Sequence, residues 1–217
     1  MHITHTLSTV LRRVALAVAL AASSSLASAA VIHVDVDTSN FGVATGYIDM
    51  QFGSSQAPGI PLETALVTNM VGFDPSAFID SWGLTQVAGG YLFRNDTEND
   101  LFHAVNFGGL LSFDLSFAGA IDPLSLMASH FTVSAFNEAF APLGNYDPDR
   151  GSLADFVWTP AISAAVDGTI GVSITDDAVT FVPEPADSLL MGAGLGLMAL
   201  VLRRRARSAG LVVGRAA

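Results

Sequence analysis

The sequence predicts an all-β domain, an antiparallel β-sandwich of jelly-roll-like form, and three observations carry that expectation. Apolar and polar residues alternate with a period of two in segment after segment between residues 30 and 181. Turn-forming Gly, Pro, Asn and Asp residues fall between those segments. The stretch is about 150 residues long, the ordinary size of one domain. Side chains of a strand point to opposite faces in turn, so strict alternation marks a strand with one buried and one wet face.

Taken in order, Ile32, Val34 and Val36 alternate with His33, Asp35 and Asp37, and Ile48, Met50 and Phe52 with Tyr47, Asp49 and Gln51. Leu111, Phe113, Leu115 and Phe117 alternate with Ser112, Asp114 and Ser116, the clearest case. Phe131, Val133 and Ala135 follow, then Ile170, Val172 and Ile174, and Val179 with Phe181 closes the series. Turns are expected at Asn40 to Gly42, Pro58-Gly59, Gly89-Gly90, Asp122-Pro123 and Asp147-Pro148. Asp167-Gly168 between 161–166 and 169–175 reads as a hairpin. Short helices are expected at 62–70 and 75–79. About seven to nine strands fill the domain.

Charge is unevenly placed. Between residues 30 and 185 two arginines face nineteen carboxylates, a net of −17, and lysine is absent from the whole chain. A field of that sign repels phosphate backbones, which excludes nucleic acid as a partner. The chain has no cysteine, so disulfides, thiolate catalysis and cysteine-based zinc sites are excluded.

Residues 1–29 read as a secretory signal peptide. Arg12 and Arg13 precede an apolar core at 14–22, and Ala27 and Ala29 supply the small-x-small pattern for cleavage after Ala29. The domain then occupies 30–181. At the other end Val182-Pro183-Glu184-Pro185 precedes a mostly apolar segment, 186–202, and the cluster Arg203, Arg204, Arg205 and Arg207. At ~1.5 Å per residue that segment just crosses a thin bilayer. The arginines hold its end in the cytoplasm, with 208–217 as a cytoplasmic tail. Everything between the two ends is then exported. Gly192, Gly194 and Gly196 weaken the helix and suit a transient anchor.

This order of box, short apolar helix and arginine cluster resembles the PEP-CTERM sorting domain. The resemblance implies recognition and cleavage at or near Val182 to Pro185 by exosortase, an integral membrane transpeptidase, with the arginines as stop signal. It also implies delivery from the inner membrane to the cell surface or extracellular matrix of a biofilm-forming Gram-negative bacterium. Arg94-Asn95-Asp96-Thr97-Glu98-Asn99-Asp100 before a Phe-rich strand, and Ile174-Thr175-Asp176-Asp177 before Phe181, are similar to PEP-CTERM proteins with all-β ectodomains.

Candidate sites in the domain are few. Asp147, Asp149 and Asp155 around Gly151 have the alternating oxygens of a calcium loop. The EF-hand pattern is not met, and the same residues make an ordinary solvated turn. Asn95 to Asp100 offers oxygens or a polar connection. His33, His103 and His130 show no metal-ligand spacing, and no nucleophile elbow appears, so no catalytic residue is assigned. Trp82, Trp158, Tyr47, Tyr91 and Tyr146 can stack on sugar rings or fill the core, and Trp158 reads as core. The leading expectation is a non-enzymatic surface or matrix protein, associated with exopolysaccharide and needing no cofactor. The alternatives are a carbohydrate-binding module supported by calcium, and a polysaccharide hydrolase or lyase.

Overall fold

In the computed structural model, alternation and turn chemistry produce twelve strands. They are β1 (Val31–Asp37), β2 (Thr45–Gly53), β3 (Glu63–Val71), β4 (Ile79–Trp82), β5 (Thr85–Val87) and β6 (Gly90–Arg94). The series continues with β7 (Asp100–Asn106), β8 (Leu110–Gly119), β9 (Ser129–Asn137), β10 (Ala154–Thr159), β11 (Thr169–Ile174) and β12 (Val179–Pro183). Described are residues 31–54, 60–124, 127–183 and a helical fragment at 194–196 and 198. The signal peptide, Ala27 and Ala29, Glu184, Pro185, the arginine cluster and all but that fragment of 186–202 lie outside them. Among the described residues no helix is long and apolar enough to cross a membrane.

The strands form two antiparallel six-stranded sheets. The first runs β12-β1-β8-β3-β6-β5 and the second β11-β10-β9-β2-β7-β4. The apolar sets of β1, β2, β8 and β9 turn inward as expected, whereas Ile174 of β11 and Phe181 of β12 are exposed. Ile32, Val34 and Val36 of β1, Ile48, Met50 and Phe52 of β2, and Leu111, Phe113, Leu115 and Phe117 of β8 are all buried. Phe131 of the second sheet sits at the centre. Its ring lies 5.4 Å from Phe93 and 6.4 Å from both Phe113 and Phe117 of the first sheet, and 6.5 Å from Phe156. The two sheets thus share one core, an all-β sandwich-like arrangement within residues 29–184.

Three expectations are corrected. The first helix, at 62–70, is strand β3. Glu63, Ala65 and Val67 are buried while Thr64, Leu66 and Thr68 are half-buried, and the β-branched residues favour the pleat over a helix. The second, at 75–79, is a turn entering β4, held by the Asp74 carboxylate accepting from Ser76 N at 2.8 Å. The hairpin ending at β11 starts from β10, not from 161–166, and Thr159 pairs with Thr169. Gly168 is needed there for close approach: a Cβ would lie 2.3 Å from the Trp158 ring.

One buried carboxylate stands out. Glu63, at the head of β3, is wholly enclosed, with both carboxyl oxygens closed to solvent and the Ser129 hydroxyl beside them. Burial pushes its pKa up.

Candidate functional site

The core takes one face of the second sheet, and period two sends the intervening residues to the other. Across strands β4, β7, β2 and β9, the register sets Asp80 opposite Phe102, Phe102 opposite Asp49, and Asp49 opposite Ser134. One row along, Trp82 faces Asp100, and Gln51 faces Thr132, which faces Asp155 of β10. This outer face is therefore rich in carboxylates, amides, hydroxyls and aromatic rings.

At one end of the face the surface folds into a groove of about 410 Å³, lined among others by Gln51, Trp82, Glu98, Asp100, His130 and Thr132. Trp82 is 51 % exposed, an unusual placement for the largest apolar side chain. It sits on edge strand β4, where no further strand covers it.

The groove wall is the polar run 95–99, and the sequence reading of that run as a connection is half the answer. Asn99 staples it to the sheet: its Nδ2 donates to the carbonyls of Phe52 (2.6 Å), Arg94 (2.8 Å) and Thr97 (3.0 Å), and its Oδ1 accepts from Phe52 N (2.8 Å). Asn95 does the same at the other end, accepting from Glu63 N at 2.9 Å and donating to Pro61 O at 3.1 Å. Both amides are consumed by the scaffold. Under the wall passes Gly83, at φ 68°, where a Cβ would fall 1.9 Å from the Glu98 carbonyl oxygen. Only glycine fits that approach. The wall is rigid, and Glu98 and Asp100 are left to face the groove.

Beside Asp100, one strand over, lies Asp49, 8 % exposed. Its Oδ2 accepts from Gln51 Nε2 at 3.0 Å. Its Oδ1, and Oδ1 of Asp100, are closed to solvent, and the two carboxyls hydrogen-bond each other. Burial first, then the adjoining Asp100 carboxyl, pushes the Asp49 pKa up to about 8. Asp49 therefore keeps its proton at neutral pH and can donate it to Asp100.

Opposite them His130 is fixed by Asp155, with Nδ1 2.9 Å from Asp155 Oδ2, and Arg150 Nε lies 3.3 Å from the same oxygen. A carboxylate accepts, so Nδ1 carries the proton and Nε2 is the remaining nitrogen.

Beyond the groove the face continues as stacked rings. Tyr47 lies 4.4 Å from Phe102 and 5.6 Å from Phe140, and Phe136 follows at 6.1 Å from Phe102. Phe140 is 64 % exposed and held at φ 59°, in a turn where Asn137 Oδ1 accepts from Ala139 N and Ala141 N. Left-handed backbone is costly for a bulky residue, so the turn is built to present this ring.

The three aspartates read as a calcium loop are not gathered. Asp147 Oδ1 is occupied by the backbone N–H groups of Asp149 (2.8 Å) and Arg150 (3.1 Å). Asp149 is exposed, and Asp155 is engaged by His130 and Arg150. Among the described residues no three His, Asp or Glu side chains converge as a metal set. The histidines go three ways: His33 pairs with Asp114 (2.6 Å), His103 is buried, and His130 reaches the groove. Of the aromatic candidates, Trp158 and Tyr91 are core, Tyr146 is exposed, and Trp82 and Tyr47 lie on the outer face. Val182 and Pro183, read from the sequence as part of a sorting box, end β12, paired with His33 and Ile32 of β1.

The Asp49–Asp100 pair is what sequence reasoning missed. With so many acids, nothing local shows which two meet across strands. No protein-family model, curated protein or solved structure matches the chain.

Proposed function

We propose that this chain is an exported, non-enzymatic protein of the cell surface or extracellular matrix whose β-domain holds polysaccharide in the groove beside Trp82. The observation that carries the groove reading is the exposed indole of Trp82 set opposite Asp100 on a rigid polar wall. Sugar rings have an apolar C–H face and a rim of hydroxyls. An indole face meets the first, and carboxylates and amides meet the second. The stacked rings of Tyr47, Phe102 and Phe140 extend that surface along the sheet, as a polymer needs.

A binding role is favoured over hydrolysis by the carboxyl spacing. Glycosidases hold two carboxyls ~5–5.5 Å or ~6.5–9.5 Å apart to flank a glycosidic bond. The Asp49 and Asp100 side chains hydrogen-bond each other, which leaves no room for a glycosidic bond between them. Our finer reading of the architecture is a jelly roll. The order β1-β8-β3-β6 in one sheet and β2-β7-β4 in the other interleaves the chain in that manner, with β5 and β12 flanking the first and β9, β10 and β11 extending the second beyond β2.

Export and sorting rest on the ends of the sequence: signal peptide, Val182 to Pro185 box, apolar segment and arginine cluster. On this reading exosortase clips the chain at the box, and the inner membrane is a transient anchor. Two experiments test the proposal separately. Intact mass from the native host, with and without its exosortase, should differ by the segment after the box, and an uncut tail in both refutes sorting. Affinity electrophoresis through polysaccharide gels should show retardation that Trp82→Ala abolishes, and free migration through every polymer refutes the groove.

A further inference from the structure

We infer that strand β11 is a docking edge for a second copy of this chain, pairing antiparallel with its own counterpart so that two six-stranded sheets join into one. An open sheet has two edges, and each edge strand turns the N–H and C=O of alternate residues outward without partners. Proteins normally blunt such edges by shortness, charge or proline. Three of the four edges here are blunted: β5 has three residues, β4 has four with Asp80 among them, and β12 ends in Pro183. Among the described residues β11 is the exception. Its run Thr169-Ile170-Gly171-Val172-Ser173-Ile174 carries no charge and no proline. It pairs with β10 in unbroken register, so no bulge bends the edge away.

A second observation at the same edge points to what covers it. Ile170 and Val172 stand opposite Trp158 and Phe156 of β10 and so face the core, as does Ile174 opposite Ala154. Yet Ile170 and Val172 are only half-buried, and Ile174 is 36 % exposed. In the facing sheet Phe181 of edge strand β12 meets the Phe156 ring at 6.3 Å and is exposed as well. The core is open along this side. Side chains aimed inward and left uncovered are completed by a further strand of the same sandwich, which a second β11 supplies.

The edge also fits itself. A two-fold axis through Gly171, normal to the sheet, keeps inward faces inward. It sets Ile170 against Val172 of the second copy, Thr169 against Ser173, and Gly171 against Gly171, so apolar meets apolar and hydroxyl meets hydroxyl. Centred at Val172 instead, the axis would bring Asp167 against Asp177. Charge favours the same place. The domain repels its own copies over most of its surface, with nineteen carboxylates against two arginines, and β11 is a strip free of acid. A basic foreign peptide would find no carboxylate on that strip to pair with. Because β11 lies at the opposite edge of its sheet from β4, the dimer leaves both Trp82 grooves open on one face, and a polymer spanning them is held twice.

The chain has no cysteine, so a single introduced thiol reports the contact. In the full chain, in detergent at about 0.15 M salt, Gly171→Cys puts that thiol on the axis, where opposed Cα atoms lie ~4.5–5.5 Å apart, within disulfide range. A Cβ there meets only Val157, at 3.7 Å, so the monomer accommodates it. Mild oxidation should convert Gly171→Cys to a covalent dimer and leave Gln86→Cys, on the exposed edge β5, monomeric. Gly171→Lys sets two ammonium groups face to face. It should weaken dimerisation at least about tenfold in sedimentation equilibrium, with the circular dichroism of the parent retained. A parent that stays monomeric overturns the inference. So does dimerisation unchanged in folded Gly171→Lys, or equal cross-linking of the two cysteine variants, either of which puts the contact elsewhere on the chain. The cysteine comparison decides alone if the lysine variant does not fold, and the glycan and sorting readings stand in every case.

Discussion

Replacing Asp49 by asparagine should make the protein more stable as pH rises, which is the reverse of what losing a surface acid does. In the folded protein burial and Asp100 raise the Asp49 pKa to about 8, from an ordinary value of 3.8. Between those limits the folded chain holds a proton that the unfolded chain has released. Stability therefore falls as pH rises through that window, and the loss is complete above about pH 8. At ~1.4 kcal/mol per pH unit, a window of about four units bounds the effect near 6 kcal/mol. Relaxation around the charged pair and water entry lower that ceiling, and about 2 kcal/mol is the expected measured difference at pH 9. Asparagine keeps the shape and, like the protonated acid, can donate to Asp100, but it has no proton to lose. Urea denaturation of parent and Asp49→Asn proteins at half-unit steps from pH 5 to pH 9 reads the effect directly. The gap between the two curves should open in favour of the variant from pH 5 upward and level off above about pH 8. Carboxyls such as Asp96 and Asp114, whose pKa values are lowered by Arg94 and by Asn69 with His33, act at lower pH and equally in both proteins. A gap that stays flat from pH 5 to pH 9 would refute the proton held on Asp49 and, with it, the electrostatics of the groove.

Four further outcomes follow from contacts described above. Phe131→Ala removes the ring at the centre of the core and should cost about 3–5 kcal/mol, read as a fall in urea midpoint at unchanged slope. Glu63→Gln should stabilise by about 1–2 kcal/mol at pH 8, because burial disfavours the carboxylate and the amide carries no charge; a destabilised variant would mean that the Ser129 hydroxyl holds the charged form. Gly83→Ala should lower glycan retention at small cost to the melting temperature, since its Cβ strikes the Glu98 carbonyl and displaces the wall. Added calcium at about 1 mM should leave the melting temperature within about 1 °C, because Asp147 and Asp155 are already engaged; a rise of several degrees would restore the calcium loop.

The inward face of this protein is legible because it is periodic. Leu111, Phe113, Leu115 and Phe117 announce β8 and its buried side by spacing alone. Strand β3 is hidden, because Leu62, Ala65, Leu66 and Met70 also fit a helical stripe, and only pairing with β8 and β6 decides for the pleat. The run from Arg94 to Asp100 is visible as a polar interruption, yet its function as a wall depends on Asn99 reaching Phe52 on another strand. Trp82 and Asp100 become neighbours only through the antiparallel register of β4 and β7. Sites built across strands leave no local spacing to read, and that is why the face rather than the motif reveals this one.

The pairing of the first strand with the last has a mechanical meaning. β1 and β12 run antiparallel, with Ile32 opposite Pro183 and Val36 opposite Val179, so both ends of the domain leave from the same side of the sheet. Tension between those ends loads the ladder like a zipper, opening one pair at a time from Pro183 inward, rather than shearing all its hydrogen bonds together. The seam is therefore the first part to yield to a pull. Peeling proceeds until it reaches Val179, buried to 2 %, where water must enter the core. A protein tethered at its C-terminal side and gripped by a ligand on the other sheet draws its load in through β12, an edge strand paired only with β1, so the seam lies in the path of force and yields first.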